Sequence, residues 1–251
     1  MIYGDMNLFQ HGWNRKLLMN SYQNISNKEY KSVAKLDSVS LRYKAGPKVL
    51  DSIDLEIKDG SFHFLTGASG SGKTSLLSML NLTILPSEGA IKLFDYDILK
   101  EKRIKLTKIR HKIGVVFQDF RLLDHLSVFE NIALPLRILK SSEEDIDNDV
   151  QDLLSWVGLS KLSHSYPPML SGGQKQMVAI CRSIIAKPKL LIADEPTGSI
   201  DGVIASKLMQ LFIELNKIGT TIIIATHNDE LVKKYNFPQF HIKNKNIFFH
   251  N

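Results

Sequence analysis

The spacing of apolar residues changes character several times along this chain. From Val33, VAKLDSVSLRY and KVLDSIDLEI alternate apolar with polar positions, as strands with one buried face do. Asp59-Gly60 marks a turn, and SFHFLTG follows as a third strand. TSLLSMLNL, from Thr74, has a helical pattern. IGVVF (Ile113 to Phe117), LLIAD (Leu190 to Asp194) and TTIIIAT (Thr220 to Thr226) are continuous apolar runs. Such runs suit strands buried on both faces of a parallel sheet. Helical patterns fill 172–186, 200–218 and 228–235. Between Gln118 and Leu170 the strand signal disappears, and SVFENIALPLRILK and SEEDIDNDVQDLLSWVGL read as helices. The second opens on Ser142 and Asp145, close to a capping box with Asp in place of Glu or Gln. Acidic residues crowd its first turns, and Gly158 fits its C-terminal stop. The alternation predicts an α/β core interrupted by a helical insertion. Residues 1 to about 34 are rich in Asn, Ser, Tyr and Lys, with weak periodicity. They are expected to form a loosely ordered extension, with a short docked helix over Trp13 to Asn20 as the alternative.

Composition narrows the class rather than the chemistry. The 251 residues are 43% hydrophobic and 23% charged, ordinary for a soluble globular protein with a sizeable core. No run of 18 apolar residues exists, so work at a membrane would need another chain as anchor. The first twenty residues lack the continuous apolar stretch of a signal peptide. The single cysteine, Cys181, excludes an internal disulfide and, within VAICRSII, reads as core packing in a reducing compartment. Net charge is +6, which favours anionic partners without choosing among nucleotide, nucleic acid and lipid. The densest basic stretch, Lys100 to Lys112, reads as a solvated helix face or as a surface near anionic headgroups.

Candidate chemistry begins at GASGSGKT, Gly67 to Thr74, which fits G-x-x-x-x-G-K-[ST] and sits between a strand and a helix. A triphosphate needs many backbone N–H donors in one concavity. Gly67, Gly70 and Gly72 let the chain wrap closely, with Ala68, Ser69 and Ser71 between them, and the following helix offers its positive end. Lys73 is placed for the β and γ phosphates and the Thr74 hydroxyl for Mg²⁺. Asp194 ends an apolar strand, where ligands collect in parallel sheets. Adjacent residues on an extended segment point in different directions, so Asp194 can serve the metal while Glu195 acts as general base. His227 follows another strand and could donate to the γ-phosphate. The Gln118 amide could reach Mg²⁺ or the attacking water. Tyr43 could stack on adenine or simply pack in the core. Downstream lies Leu170-Ser171-Gly172-Gly173-Gln174.

These residues in this order resemble the nucleotide-binding subunit of an ABC transporter, over about 36 to 250. GASGSGKT, continued by Ser75, resembles its Walker A; LLIADE its Walker B with the catalytic Glu195; LSGGQ its signature. Gln118 resembles the Q-loop, Ser199 to Asp201 the D-loop, His227 the switch histidine and Tyr43 the A-loop aromatic. The resemblance implies a P-loop NTPase core with a mostly parallel sheet, an N-terminal antiparallel β-subdomain and a helical subdomain at about 119–172, within an ATPase domain of 35–250. It implies an ATP-hydrolysing enzyme using ATP and Mg²⁺, closed as a head-to-tail homodimer. Ser171 and Gly173 would contact the γ-phosphate of the other copy.

The segment IGVVFQDFRLLDHLSVFENIALPLRI is similar to the FtsE family of bacterial cell-division ATPases, with Phe117-Gln118-Asp119-Phe120-Arg121-Leu122-Leu123 the most telling part. That likeness implies an FtsX-like integral membrane partner at the cytoplasmic face of the plasma membrane, and control of cell-wall hydrolases. Phe117, Phe120, Leu122 and Leu123 would receive the partner's coupling helix. Lipoprotein-release and MacB-type efflux ATPases are the alternative within the family. A soluble ABC ATPase acting on nucleic acid is a further one, and no nucleic-acid partner is expected. One departure stands in the signature helix, where Met177 occupies a position usually held by Arg, while Arg182 is retained.

Overall fold

A computed structural model of the chain describes residues 31–198, 200 and 202–250. The expected extension, with its alternative helix over Trp13 to Asn20, therefore lies almost wholly outside the described residues, as do Ser199 and Asp201. The described residues divide into two compact units, 31–121 with 187–250 and 122–186.

Two sheets share the core of the first unit. The alternating segments form β1 (Ser32–Arg42) and β2 (Lys48–Lys58), paired antiparallel. On β2, Leu50, Ile53, Leu55 and Ile57 are buried while Asp54, Glu56 and Lys58 face solvent. With β4 (Glu88–Leu93) and β5 (Tyr96–Asp97) they make an antiparallel sheet in the order β2-β1-β4-β5. The apolar runs form the second sheet. There β3 (Phe62–Gly67), β6 (Ile113–Val116), β7 (Leu190–Asp194), β8 (Thr221–Ala225) and β9 (Gln239–Lys243) run parallel in the order β9-β3-β8-β7-β6. β10 (Asn246–His250) adds antiparallel at the β9 edge. Every residue of β8 is buried. Each of its isoleucines contributes roughly 1.5–3 kcal/mol by leaving water.

The helices of this unit are α1 (Lys73–Leu80), α2 (Arg103–Arg110), α6 (Gly202–Lys217) and α7 (Asp229–Tyr235). α1 stops two residues before the end of its apolar pattern, because Leu82 takes a left-handed φ of 60° and Asn81 Oδ1 turns back to accept from Thr83 N. The basic stretch folds as α2, which buries Ile109 and leaves most of its cationic side chains in solvent.

The second unit is helical: α3 (Val128–Ile138), α4 (Glu143–Trp156) and α5 (Gly172–Ile184), with two short 3₁₀ turns before α5. It runs to residue 186 rather than to about 172, since α5 packs on α3. All three helices have side-chain caps. Ser127 with Glu130 and Ser171 with Gln174 form full capping boxes, and Ser142 Oγ accepts from Asp145 N. Asn131 is fully buried on α3; its amide both donates to and accepts from the backbone of Leu123, which fixes the segment entering this unit.

Candidate active site

The register of the parallel sheet sets the site. Leu65 on β3 pairs with Ala225 on β8, which pairs with Asp194 on β7, and Val116 on β6 pairs with Ala193. The loops after β3, β6, β7 and β8 therefore leave from one carboxyl edge. They carry the glycine loop, Gln118, Glu195 and His227 respectively. A cleft of about 500 Å³ opens there, lined by Tyr43, Val49, Ser69, Gly70, Gly72 to Ser75, Gln118, Asp194, Glu195 and His227. That is the usual size of a ligand pocket.

The glycine loop needs its glycines for two separate reasons. Gly67 has φ 144°, and a Cβ there would stand 2.6 Å from Ile242 O and 2.7 Å from Ser71 Oγ. Gly72 has φ 110° and N-caps α1, with no side-chain cap and no acidic residue in the first turn. The helix therefore presents bare N–H groups to an anion. Ser71 N donates to Ala68 O at 3.1 Å, closing the loop. Lys73 is buried, and its ammonium donates to Gly67 O at 2.7 Å and Ala68 O at 3.1 Å. The Tyr43 hydroxyl lies 3.1 Å from Ser75 Oγ, and the ring is half exposed rather than packed in the core.

Thr74 Oγ1 donates to Asp194 Oδ2 at 2.9 Å. Burial raises the Asp194 carboxyl above its ordinary value, and neighbouring Glu195 adds to the rise, against the Thr74 hydrogen bond and the charge of Lys73. Glu195 departs from the extended geometry that the sequence suggested. Its φ is 49°, in the left-handed region, and its N donates to Ala225 O at 2.9 Å. The two acids diverge because the chain turns sharply after β7, not because a strand alternates. Glu195 Oε1 lies 2.6 Å from His227 Nδ1, and Oε2 accepts from Thr226 Oγ1 at 3.2 Å. Thr226 carries no motif, and nothing in TTIIIAT separates it from an ordinary strand residue.

Gln118 is exposed and borders both this cleft and a neighbouring one of about 540 Å³. Just beyond it, Arg121 Nε donates to Asp119 Oδ1 at 3.1 Å, and its guanidinium lies 4.0 Å from the centre of the Phe117 ring. In the helical unit, Ser171 and Gly172 are exposed and Gly173 and Gln174 half-buried at the start of α5. Gln174 Oε1 accepts from Ser171 N at 2.8 Å and Gln174 N donates to Ser171 Oγ at 3.3 Å. The capping boxes at Ser127 and Ser171 were missed in the sequence, where S-x-x-E and S-x-x-Q could have signalled them. Met177 is half-buried in α5, and Arg182 Nη1 is 3.5 Å from Asn131 Oδ1. Among the described residues, no group of three or more His, Cys, Asp and Glu could hold a metal by itself.

A phosphate-binding loop, paired acids and a histidine at one edge of a parallel sheet define a nucleotide-hydrolysing cassette. The ABC transporter family model matches residues 50–198, and the chain belongs to that family as an ATP-binding ATPase. It is 36% identical over 203 residues to the cell division ATP-binding protein FtsE of Escherichia coli, covering 81% of this chain and 91% of that one. It is 39% identical over 203 residues to the methionine import ATP-binding protein MetN of Chromohalobacter salexigens, covering 79% of this chain but only 58% of that relative's length. Among solved structures, the dimeric post-hydrolysis state of an ATP-binding cassette bound to ADP and Pi superposes with a TM-score of 0.80 at 33% identity, covering 87% of this chain and 98% of that one. No helix among the described residues is long and apolar enough to cross a membrane.

Proposed function

We propose that this chain is the ATP-hydrolysing subunit of a bacterial cell-division ABC complex, working at the cytoplasmic face of the plasma membrane on an FtsX-like partner that controls cell-wall hydrolases. The observation that carries the cell-division reading is the segment Phe117 to Leu123, together with the FtsE relative. Its Asp-Phe-Arg element is a folded unit, with Arg121 clasping Asp119 and lying against Phe117, beside the Gln118 that borders the cleft. A partner helix pressing on these aromatics would move Gln118 directly.

In this reading two copies close head to tail around ATP. Tyr43 stacks on adenine. The N–H groups of Gly67 to Ser75 hold the phosphates, and Lys73 exchanges the carbonyls of Gly67 and Ala68 for phosphate oxygens. Thr74, Asp194 and Gln118 offer hydroxyl, carboxylate and amide oxygens, a hard donor set that fits Mg²⁺. Mg²⁺ there supplies charge neutralisation on the β and γ phosphates. Glu195 takes a proton from water as its oxygen bonds to the γ-phosphorus and the bond to the ADP oxygen breaks. His227 Nδ1 faces Glu195 Oε1, and a turn of this exposed side chain releases that oxygen and brings an imidazole N–H to the γ-phosphate. Ser171, Gly172, Gly173 and Gln174 of the second copy cap that phosphate with the N-terminus of α5.

The test is to purify the Glu195→Gln protein with ATP from native membranes and identify its companions by mass spectrometry. An FtsX-like protein is expected. A methionine-import, lipoprotein-release or efflux permease would keep the ATPase chemistry and overturn the cell-division assignment. Bound nucleic acid with no membrane protein would overturn both partner readings.

A further inference from the structure

Glu195 is held at both carboxylate oxygens by consecutive residues of very different exposure. His227, on Oε1, has 73% of its side chain in solvent. Thr226, on Oε2, has none. Thr226 N donates to Leu65 O at 3.1 Å, which ties its backbone to β3, the strand that delivers the glycine loop. Its Oγ1 accepts from Asn228 N at 3.1 Å. Asn228 in turn caps α7, with its Oδ1 accepting from Leu231 N at 3.0 Å. A hydroxyl has one proton to give. With Asn228 N–H on its lone pair, that proton is directed at Glu195 Oε2.

We infer that Thr226 is a positioning residue for hydrolysis, whose buried hydroxyl fixes the Glu195 carboxylate so that Oε1 alone is free to take the proton from water. This rests on Glu195 being the general base. The two contacts divide the work. His227 is exposed and free to turn towards a phosphate, which releases Oε1. Thr226 cannot turn, because its backbone and its hydroxyl are each bonded to a different element. Glu195 needs such an anchor, since it sits at a left-handed φ on a turn rather than within a strand. Burial alone would accept valine at 226 as readily as threonine. The hydroxyl is explained by what it holds.

The experiment compares T226V, T226S and E195Q by steady-state ATP turnover, nucleotide affinity and melting temperature. T226V is expected to lower kcat by about 10- to 100-fold, the scale of a misplaced catalytic group, while KM for ATP stays within about twofold. T226S keeps the hydroxyl and is expected to restore kcat. In an E195Q background, T226V is expected to leave the residual rate unchanged. If T226V unfolds at the assay temperature, T226A carries the same comparison without the extra methyl. The inference is overturned by a T226V protein that turns over normally. It is equally overturned by a loss that T226S shares, or by an equal loss in the E195Q background. If E195Q itself turned over normally, the general-base reading would fail, which is a separate result.

Discussion

Replacing Gly67 by Ala tests whether the glycine loop is held by sterics as tightly as the structure implies. The added Cβ would stand 2.6 Å from Ile242 O, a backbone atom of β9 that cannot swing away, and 2.7 Å from Ser71 Oγ, which can. The backbone there has φ 144°, outside the range L side chains favour. Holding a non-glycine residue in so sparsely populated a region costs roughly 1–3 kcal/mol. Forcing an atom into a filled space costs roughly 1–3 kcal/mol more. Gly70 is the control, because its φ is 74° but nothing lies within 4 Å of an added Cβ. G70A therefore carries only the backbone term, and the change in unfolded-state entropy is common to both. G67A should lose roughly 2–6 kcal/mol and G70A, at a left-handed φ, roughly 1–2, against a typical total of 5–15. With a urea slope near 3 kcal/mol/M, the G67A midpoint falls by about 1 M and the G70A midpoint by about half that or less. Urea unfolding followed by circular dichroism gives both. A G67A protein no less stable than G70A would refute the argument that β9 closes the loop's floor.

Other outcomes follow from the charges and the core. A carboxyl whose folded-state pKa is raised weakens the fold once it ionises, so D194N should raise the melting temperature of the nucleotide-free protein by a few degrees. The same change should cut ATP turnover by at least about 100-fold, since the Asn amide lacks the charge a metal needs; a lower melting temperature would contradict the burial argument. Burial pushes the His63 imidazole down from 6.5 to about 4, so the unfolded chain binds the extra proton first and stability falls as pH drops through that window. The full loss is about 3 kcal/mol, and H63F should flatten the urea midpoint between pH 6.5 and 4. Burial also pushes the Cys181 thiol far up, and its side chain is wholly enclosed. A maleimide should label it at least roughly 1,000-fold more slowly than in denaturant, and fast native labelling would place Cys181 outside the core.

Much of the fold was written in local patterns. LLIAD and TTIIIAT are apolar on both faces, and both became central parallel strands. The alternation in KVLDSIDLEI survived residue by residue, with Ile53 inside and Asp54 outside. β9 and β10 were not legible, because QFHIK and NIFFH lie near a sheet edge and mix His, Asn and Lys with their apolar positions. The glycine loop and both acids, singled out in the sequence by spacing, fall at one carboxyl edge of the parallel sheet, because phosphate chemistry constrains neighbours in sequence. The left-handed turn at Glu195 could not, since nothing in ADEPTG distinguishes it from an extended exit. Nor could Thr226, whose partner lies 31 positions away on the turn that follows an adjoining strand and meets it only once β7 and β8 pair.

The most direct measurement is the solution mass of the Glu195→Gln protein with and without ATP. Two copies closing around ATP, with Glu195 as the base that ends the closed state, are expected to give a monomer without nucleotide and a stable dimer with it. A protein that stays monomeric at saturating ATP, or that dimerises equally without it, would contradict the account.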